Sequence, residues 1–531
     1  MNATVADYRT MPMRELTAGI RRGMRGWMLP LAFGLGAISI ALLAFGHKGA
    51  LAFTLISAGT WIALAVWRRS AIGLPLLPMI AVQHLLLYGL PILANRETMN
   101  RYSADLVDQA GIELLIFLLS LAFVWAGAMG MIRASLPVSH ALVEYRRGGA
   151  RKRRRICLVL LAAGTGYQVL SRLGLLGPLL AVLPAGADSI IWDLVAADAT
   201  CGFFIGALLV GSGELIGWGR AAFWLAVTLN CTIAASSFLL SASSVFVISV
   251  MIGLFWSTGR IPWRFVAIAG MIFAFFNLGK DAMRDRYWRH VGGGDNIPDF
   301  TLARMPSLYS EWTSVSFDLL MGNSGRIEDR WRRELGDTAA HQASQSLLDR
   351  INDLQNLLFA MDAVQRLKIE PLHGASYTLI PALLVPRILD PDKPRAHEGQ
   401  VMLNVHFGRQ DLSSTVDTYI AWGLLPEAYG NFGPWLGAAM LGSVLGFLFA
   451  WLEKWTANKL VVSLEGFVAF TIFLGLANSF EMVASVLVTS VFQAAVPVAL
   501  ATLPFVRRIA TGPGPGRTPD ERPAAPAGTS S

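Results

Sequence analysis

The sequence has few charged residues and few cysteines for its length. Of 531 residues, 15% are charged and 54% are hydrophobic, whereas soluble domains average about 25% and about 45–50%. A protein core can bury only a limited amount of apolar surface, so this excess excludes a soluble enzyme and requires lipid as part of the solvent. Cys157, Cys201 and Cys231 all lie in apolar stretches. They provide neither a disulfide framework nor a thiolate metal site.

The excess of positive charge is distributed in a way that argues against nucleic-acid binding. The net charge is +8, but segment 280–433 contains 16 Lys and Arg against 20 Asp and Glu, so its own net charge is −4. The positive charge therefore lies in the short loops and termini between apolar stretches. This distribution is typical of membrane topology rather than of phosphate binding, and we expect no nucleic-acid partner.

Twelve apolar stretches are candidates to cross the hydrocarbon core, which needs about 20 apolar residues. They cover residues 27–45, 50–67, 74–94, 110–132, 156–176, 198–212, 221–239, 243–256, 265–279, 434–452, 460–478 and 483–506. The region 221–256 must contain two helices, because a single one would be about 54 Å long. Serines between Ser236 and Ser244 mark the expected bend. The sequence predicts an all-α polytopic integral membrane protein with about 12 transmembrane helices.

The basic residues of the short loops predict which way the chain faces. Most of them fall in loops assigned to one side: Arg21, Arg22, Arg25, Arg68, Arg69, Arg146, Arg147, the run 151–155, Arg220, Arg260, Arg264, Lys454, Lys459, Arg507 and Arg508. The short loops of the other side hold only Lys48, Arg96 and Arg101. By the positive-inside rule the first side is cytoplasmic, so both termini are cytoplasmic and segment 280–433 is exported.

These patterns divide the chain into four parts. We predict a membrane domain with spans 1–9 at residues 1–279, a large and mainly helical periplasmic loop domain at 280–433, and a membrane domain with spans 10–12 at 434–506. Residues 507–531 are rich in Pro, Gly and Ala and predict a disordered cytoplasmic tail. Residues 431–433 are expected to shape a tight turn before span 10. Three glycines in that span are expected to allow close helix packing: Gly437, Gly442 and Gly446.

The exported segment is too long for a simple connection, since loops beyond about 15 residues are usually functional or disordered. Apolar residues from Leu347 to Leu367 recur at spacings of three and four, which predicts a helix with one apolar face. Residues 377–389 are apolar but too short to span, and Pro381 and Pro386 interrupt them. We expect this stretch to lie in the membrane interface or to re-enter the membrane.

Two motifs of the exported segment carry a family resemblance. The first reads Pro386-Arg387-Ile388-Leu389-Asp390-Pro391-Asp392-Lys393-Pro394, and the second reads Pro426-Glu427-Ala428-Tyr429-Gly430-Asn431-Phe432-Gly433 and runs into a Gly-rich span. With the many spans and an Arg-rich helix before the first motif, they resemble the exported-loop signature of bacterial Wzy-like O-antigen and exopolysaccharide repeat-unit polymerases. Within residues 345–450 the resemblance rests on sequence motifs. In the remaining chain it rests only on the number and arrangement of the apolar spans.

The resemblance implies a metal-independent glycosyltransferase of the bacterial inner membrane that needs no cofactor. Its substrates would be oligosaccharide repeat units on undecaprenyl pyrophosphate, polymerised at the periplasmic face. A ligase-type transferase that uses the same lipid carrier needs the same residue types and stays open as an alternative. A flippase or transporter is the third alternative, although it would predict internal repeats and short loops. A chain-length regulator and a flippase are the expected protein partners, beside membrane lipid.

Binding a pyrophosphate calls for cations that stay charged and contact phosphate oxygens in pairs, as guanidinium groups do. The substrate-binding candidates lie where the exported segment leaves or approaches the membrane: Arg284, Arg286, Arg289, Arg387, Lys393 and Arg395. The alternative for the first three is a helix end whose cations reach the interface beside Asp281 and Asp285. For the others it is a surface turn in which Asp390 and Asp392 pair with the cations.

The transfer also requires a base that removes a proton from a sugar hydroxyl. We favour Glu427, directly before span 10, where desolvation would raise the carboxyl pKa. The alternative is a helix-start carboxylate stabilised by the helix dipole. His397 is the second catalytic candidate and His406 a rival, because imidazole exchanges protons near neutral pH. The exported part has no His-x-x-x-His motif, cysteine pair or dense carboxylate cluster, so we predict no metal site.

Overall fold

The protein folds almost entirely into helices. The structure, a computed structural model, describes residues 11–94, 96–142, 150–180, 182, 187–258, 260–288, 301–323, 325–326, 352–385, 389–390, 392–416, 420–477, 482–503 and 506–510. The helices of the first half are α1 Met13–Ala44, α2 Ala50–Ser70, α3 Leu76–His84, α4 Leu90–Ala94, α5 Arg96–Arg101, α6 Ala104–Met131, α7 Ala150–Arg172, α8 Gly177–Leu180, α9 Ala187–Gly211, α10 Trp218–Ala235 and α11 Leu240–Thr258. A π-turn at Leu85–Gly89 joins α3 to α4.

The second half contains segment 280–433, which is predicted to be exported, and the last apolar helices. Its helices are α12 Trp263–Trp288, α13 Met305–Leu320, α14 Asp353–Gln365, α15 Ile380–Leu383, α16 Glu398–His406, α17 Leu424–Phe432, α18 Leu436–Thr456, α19 Leu464–Ala477 and α20 Ala484–Thr502. Two strands, β1 Val138–Leu142 and β2 Val506–Ala510, pair antiparallel. Single 3-10 turns lie at Leu302–Arg304, Ala375–Leu379 and Leu412–Val416.

Seven helical stretches of the described chain are long and apolar enough to cross a membrane: Met13–Ala44, Ala50–Ser70, Leu76–Ala94, Ala104–Met131, Leu194–Gly211, Trp263–Arg284 and Leu436–Thr456. Three apolar helices are shorter, at Ala242–Thr258, Leu464–Ala477 and Ala484–Leu500. These helices confirm the prediction of a mostly helical membrane protein. All twelve predicted spans fall on helices, but five of these helices are not among the seven. The number twelve therefore stays a prediction.

The expected break between the seventh and eighth predicted spans is confirmed. Helix α10 ends at Ala235 and α11 begins at Leu240, with Ser236 and Ser237 in the turn between them. Phe238 adopts a positive φ of 60° in this turn. Its side chain is fully buried, so the strained backbone conformation is held by packing of the aromatic ring.

Glycines bring the central helices into backbone contact. A Cβ atom at Gly442 would lie 2.5 Å from the carbonyl oxygen of Phe117, and one at Gly446 would lie 2.6 Å from that of Leu121. At Gly437 it would lie 2.4 Å from the carbonyl oxygen of Ala428. The predicted close packing is confirmed, since α18 lies against α6 and α17 at distances that only glycine permits.

The loops gather at two ends of the helix bundle. At the first end, Met13 N donates to Lys459 O at 2.8 Å and Ser135 Oγ donates to Trp455 O at 2.8 Å. At the second end, Asn352 Nδ2 donates to Thr98 Oγ1 at 2.8 Å. Which end faces the cytoplasm stays a prediction.

The strand pair corrects the predicted start of the tail. Residues 506–510 form β2, and Val506 and Ala510 pair with Leu142 and Val138 of β1. Residues 506–510 are therefore ordered, because the backbone groups of this stretch find partners in a second loop of the same end. The prediction of disorder from 507 is wrong for these first four residues, and 511–531 lie outside the described residues.

The structure describes segment 280–433 in parts. The predicted apolar helix corresponds to α14, which begins after Asn352 because that side chain accepts a hydrogen bond from Gln355 N at 3.1 Å. Its predicted beginning at Leu347 lies outside the described residues. The stretch expected in the interface forms a 3-10 turn followed by the single turn of α15. Helix α13, by contrast, packs on α12 around Trp312 in a separate apolar cluster.

Candidate functional site

Glu427 lies in the first turn of α17, the short helix that leads through a tight corner into α18. Helix α17 starts after Gly423, which has a φ of 90°, and ends at Gly433, which has a φ of 74°. Both values belong to the left-handed region that glycine tolerates. The corner thus turns the chain into α18 within three residues and places Glu427 in the interior, where its side chain is fully buried.

Two polar groups donate hydrogen bonds to the Glu427 carboxyl, and a third supports them. Ser376 Oγ donates to Oε1 at 2.7 Å, and the backbone N–H of Ala484 donates to Oε2 at 2.6 Å. Asn431 Nδ2 donates to Ser376 Oγ at 2.9 Å and to the backbone oxygen of Glu427 at 2.8 Å. The carboxyl therefore connects α17, the 3-10 turn Ala375–Leu379 and the first residue of α20 through direct hydrogen bonds.

Burial raises the pKa of Glu427 from 4.5 to about 7, although the two hydrogen bonds to its oxygens oppose this rise. The predicted effect of desolvation on this carboxyl is confirmed. The neighbouring Tyr377 hydroxyl has a raised pKa as well, because it is buried and faces the charge of Glu427. Tyr377 stacks on Phe432 with ring centroids 5.8 Å apart, which covers this side of the carboxyl site. A carboxyl with such a pKa can exchange a proton near neutral pH.

His397 lies on the other side of the start of α20. Ser485 Oγ donates to Ala396 O at 3.2 Å, so residues 396 and 397 adjoin the helix end that Glu427 also contacts. His397 Nδ1 lies 2.8 Å from Gln400 Oε1. Because that oxygen only accepts, Nδ1 carries the hydrogen and Nε2 is the basic nitrogen of the neutral ring. The structure brings the two predicted catalytic residues to one junction.

Two predicted cations belong to the same region and have partners within the chain. Lys393 Nζ donates to Leu383 O at 3.0 Å and to Val385 O at 2.6 Å, which satisfies carbonyls at the end of α15. Arg395 Nε lies 3.6 Å from Glu398 Oε2 in a partly exposed ion pair. The long geometry and the exposure make this second pair a weak one.

The remaining predicted cations are not brought to this junction by the described structure. Arg286 Nε lies 3.1 Å from Glu311 Oε1, and Tyr287 donates to the other oxygen of that carboxylate at 2.6 Å. This group ties α12 to α13 beside the separate apolar cluster, and Arg284 lies on the same helix. Arg289 and Arg387 lie outside the described residues. Their predicted role in binding stays untested.

Arg409 is a candidate that the sequence analysis missed. Its guanidinium donates to Ala421 O at 3.1 Å and to Asn356 Oδ1 at 2.8 Å, and it lies 5.1 Å from the centre of the Phe359 ring. Burial and the nearby charge of Arg101 lower the pKa of Arg409 to about 10. Among the described residues no carboxylate lies within ion-pair distance of it. The only signal for Arg409 in the sequence was its charge, at a position shortly after a short helix.

The rival base His406 is placed less favourably than His397. Its Nε2 lies 2.7 Å from Glu370 O, and a carbonyl only accepts, so this nitrogen donates a hydrogen to the backbone. The described residues contain no group of three or more His, Cys, Asp and Glu side chains that could hold a metal ion. No family model, curated protein or solved structure matches the chain.

Proposed function

We propose that the protein joins oligosaccharide repeat units carried on undecaprenyl pyrophosphate, at the end of the bundle that holds residues 352–432. A hydroxyl of one unit attacks the anomeric carbon of another, the bond from that carbon to the pyrophosphate breaks, and the lipid pyrophosphate leaves. The observation that supports this proposal best is that Glu427 and the segment of His397 both contact the start of α20. It places a carboxyl and an imidazole, the two kinds of side chain that most often act as general bases, at one helix start.

The two groups have different roles in this proposal. His397 is partly exposed, and its Nε2 accepts the proton of the attacking hydroxyl. Glu427 is enclosed and both of its oxygens accept hydrogen bonds, so it acts as a positioning residue that fixes α20 against the exported segment. This assignment keeps both predicted residues in the site and gives the proton transfer to the one that a substrate can reach.

Cations at the same end support the choice of an anionic lipid carrier. Arg395 adjoins His397, and Arg409 follows the opposite end of α16, about 14 Å along the helix. We assign Arg395 to the pyrophosphate next to the reacting carbon. Arg409, which is partly buried and hydrogen-bonded to neutral partners, is assigned to a second negatively charged group of the substrate.

The test is a chromosomal deletion complemented with full-length variants, followed by profiling of the glycan chain lengths. We expect the deletion to keep single-unit product and lose long chains, and His397→Gln to reproduce that loss at normal protein level. His373→Gln is the matched control, because His373 is exposed and pairs only with Glu370. Full polymer with His397→Gln would contradict the proposed base. Accumulation of lipid-linked polymer without surface display would instead indicate a ligase.

A further inference from the structure

An arginine-lined cleft lies between α1 and α2, at the end of the bundle opposite to Glu427. It has a volume of about 460 Å³ and is lined by Ala18, Arg21, Arg22, Arg25, Arg68 and Arg69. Five of the six lining residues are thus cationic, and no acidic residue lines it. The sequence analysis used these arginines only to predict orientation.

Arg21 holds the cleft in shape. Its Nε donates to Arg68 O at 2.7 Å, Nη2 donates to Arg69 O at 2.9 Å and Nη1 donates to Ala71 O at 3.2 Å. These carbonyls end α2, where the helix dipole is negative, so a cation is favourable there. The bonds fix the end of α2 to α1, and they keep the side chains of the other four arginines near one another.

The other four guanidiniums have no counter-charge among the described residues. Within the part of the protein that the structure describes, no carboxylate lies within ion-pair distance of Arg22, Arg25, Arg68 or Arg69. Like charges gathered in one cleft repel each other, and this repulsion is strongest where apolar surface reduces the screening by water. An anion bound in the cleft removes the repulsion, and guanidinium groups suit phosphate oxygens in particular.

The surroundings of the cleft indicate where that phosphate comes from. Helix α1 continues from Arg25 with exposed apolar side chains, among them Trp27 at 45%, Leu29 at 64% and Phe33 at 70% exposure. Only 11% of the apolar part of α1 is buried inside the protein, so this helix presents its surface to lipid chains. The cleft therefore lies where the headgroups of those lipids begin.

We infer that the cleft binds the headgroup of an anionic phospholipid. Phosphate oxygens of the headgroup contact Arg22, Arg25, Arg68 and Arg69, and the acyl chains lie along the apolar surface of α1. Such binding fastens α1, of whose apolar part only 11% is buried inside the protein, to α2. The site is independent of glycan transfer, because it lies at the other end of the bundle.

The test compares the full-length protein with a triple variant, Arg22→Gln/Arg25→Gln/Arg69→Gln, which leaves the structural Arg21 intact. The matched control is Arg220→Gln/Arg260→Gln/Arg264→Gln, because these arginines are exposed and their removal changes the charge equally. Lipid binding is measured by native mass spectrometry and by heat unfolding in vesicles of phosphatidylcholine with and without cardiolipin. Inorganic phosphate alone is titrated in parallel.

We expect cardiolipin to bind and stabilise the wild type and the control, and the triple variant to bind it about a hundredfold more weakly. Equal binding by the triple variant and the control would overturn the proposal, as would equal stabilisation by phosphatidylcholine alone. Inorganic phosphate that binds as tightly as cardiolipin would show that the ligand is a soluble anion and not a lipid. If the triple variant does not fold, the proposal is tested by the salt dependence of cardiolipin binding to the wild type. Binding that depends on charge weakens as the salt concentration rises, so binding that does not change with salt would overturn the proposal.

Discussion

The backbone N–H of Ala484 donates to Glu427 Oε2 at 2.6 Å, across 57 residues of sequence. The first residue of α20 is thereby fixed to a carboxyl near the end of segment 280–433. Without that carboxyl the N–H at this buried helix start would lose its partner, which costs about 1–3 kcal/mol. The contact makes one side chain responsible both for the position of a helix and for a proton that is exchanged near neutral pH.

Glu427 makes the stability of the protein depend on pH. Its pKa is about 7 in the folded protein against 4.5 ordinarily, so the folded state binds the proton more tightly. The contribution of this carboxyl to the free energy of unfolding is therefore fully present below pH 4.5. It is lost as the pH rises through 7, by about 3 kcal/mol in all. We expect the Tm of Glu427→Gln to fall less between pH 4.5 and 7 than the Tm of the wild type. Parallel profiles of wild type and variant would contradict this.

Ser376→Ala removes the hydroxyl that donates to Glu427 Oε1 at 2.7 Å. We expect a loss of about 1–3 kcal/mol in stability, since a buried oxygen loses its donor, and a further rise in the pKa of Glu427. Thr378→Ala in the same 3-10 turn is the control, because Thr378 is exposed and bonds only to Ala375 O. Tm measured against pH in detergent separates the two. Equal changes in Tm for the two variants would mean that the hydrogen bond from Ser376 to Glu427 does not stabilise the protein.

Gly442→Ala forces α18 away from α6. The added Cβ would lie 2.5 Å from the carbonyl oxygen of Phe117, and a backbone atom cannot move aside as a flexible side chain can. We expect a loss of at least about 1–3 kcal/mol in stability. Gly127→Ala on α6 is the control, since nothing lies within 4 Å of its Cβ position. Heat unfolding of the two purified variants should differ clearly, and similar Tm values would refute the packing argument.

Glu453→Gln disrupts the hydrogen bonds that four donors make to one buried carboxylate. Oε1 accepts from the indole N–H groups of Trp67 at 2.7 Å and Trp125 at 3.2 Å. Oε2 accepts from Ile72 N and Gly73 N, both at 3.4 Å. A glutamine places its NH₂ group against one of these pairs, so at least two donors lose their acceptor.

The expected cost of Glu453→Gln is a few kcal/mol, more than that of Glu427→Gln, where the amide can still accept from one partner and donate to the other. Heat unfolding followed by tryptophan fluorescence measures it. Glu15→Gln serves as control because Glu15 is exposed. A Tm equal to that of the control would show that the four contacts add nothing to stability.

Arg409→Lys keeps the charge but loses the forked geometry that reaches Asn356 and Ala421 together. If Arg409 binds a negatively charged part of the substrate, polymer synthesis should fall about tenfold or more, since a charged hydrogen bond contributes about 1.5–3 kcal/mol. Arg366→Lys is the control, because Arg366 forms an exposed pair with Asp362. Chain-length profiles at equal protein level measure the effect. Unchanged profiles would remove Arg409 from the site.

The sequence was sufficient to predict the helical membrane class and the details that depend on local chemistry. Apolar length predicts helices in lipid, because each backbone polar group must find its partner within the segment. The break at Ser236 and the close packing at Gly442 and Gly446 follow from helix length and from the missing Cβ. The raised pKa of Glu427 was predicted from its place beside an apolar helix.

Tertiary structure alone decided which polar groups meet. Glu427 meets Ser376 and Ala484, and Arg409 meets Asn356 and Ala421, although nothing in the local sequence pairs them. Hydrophobic periodicity determines which face of a helix is buried but not which distant segment lies against it. Partners far apart in sequence are selected by the packing of the whole bundle, because each buried donor or acceptor must be satisfied by the group that packing brings to it.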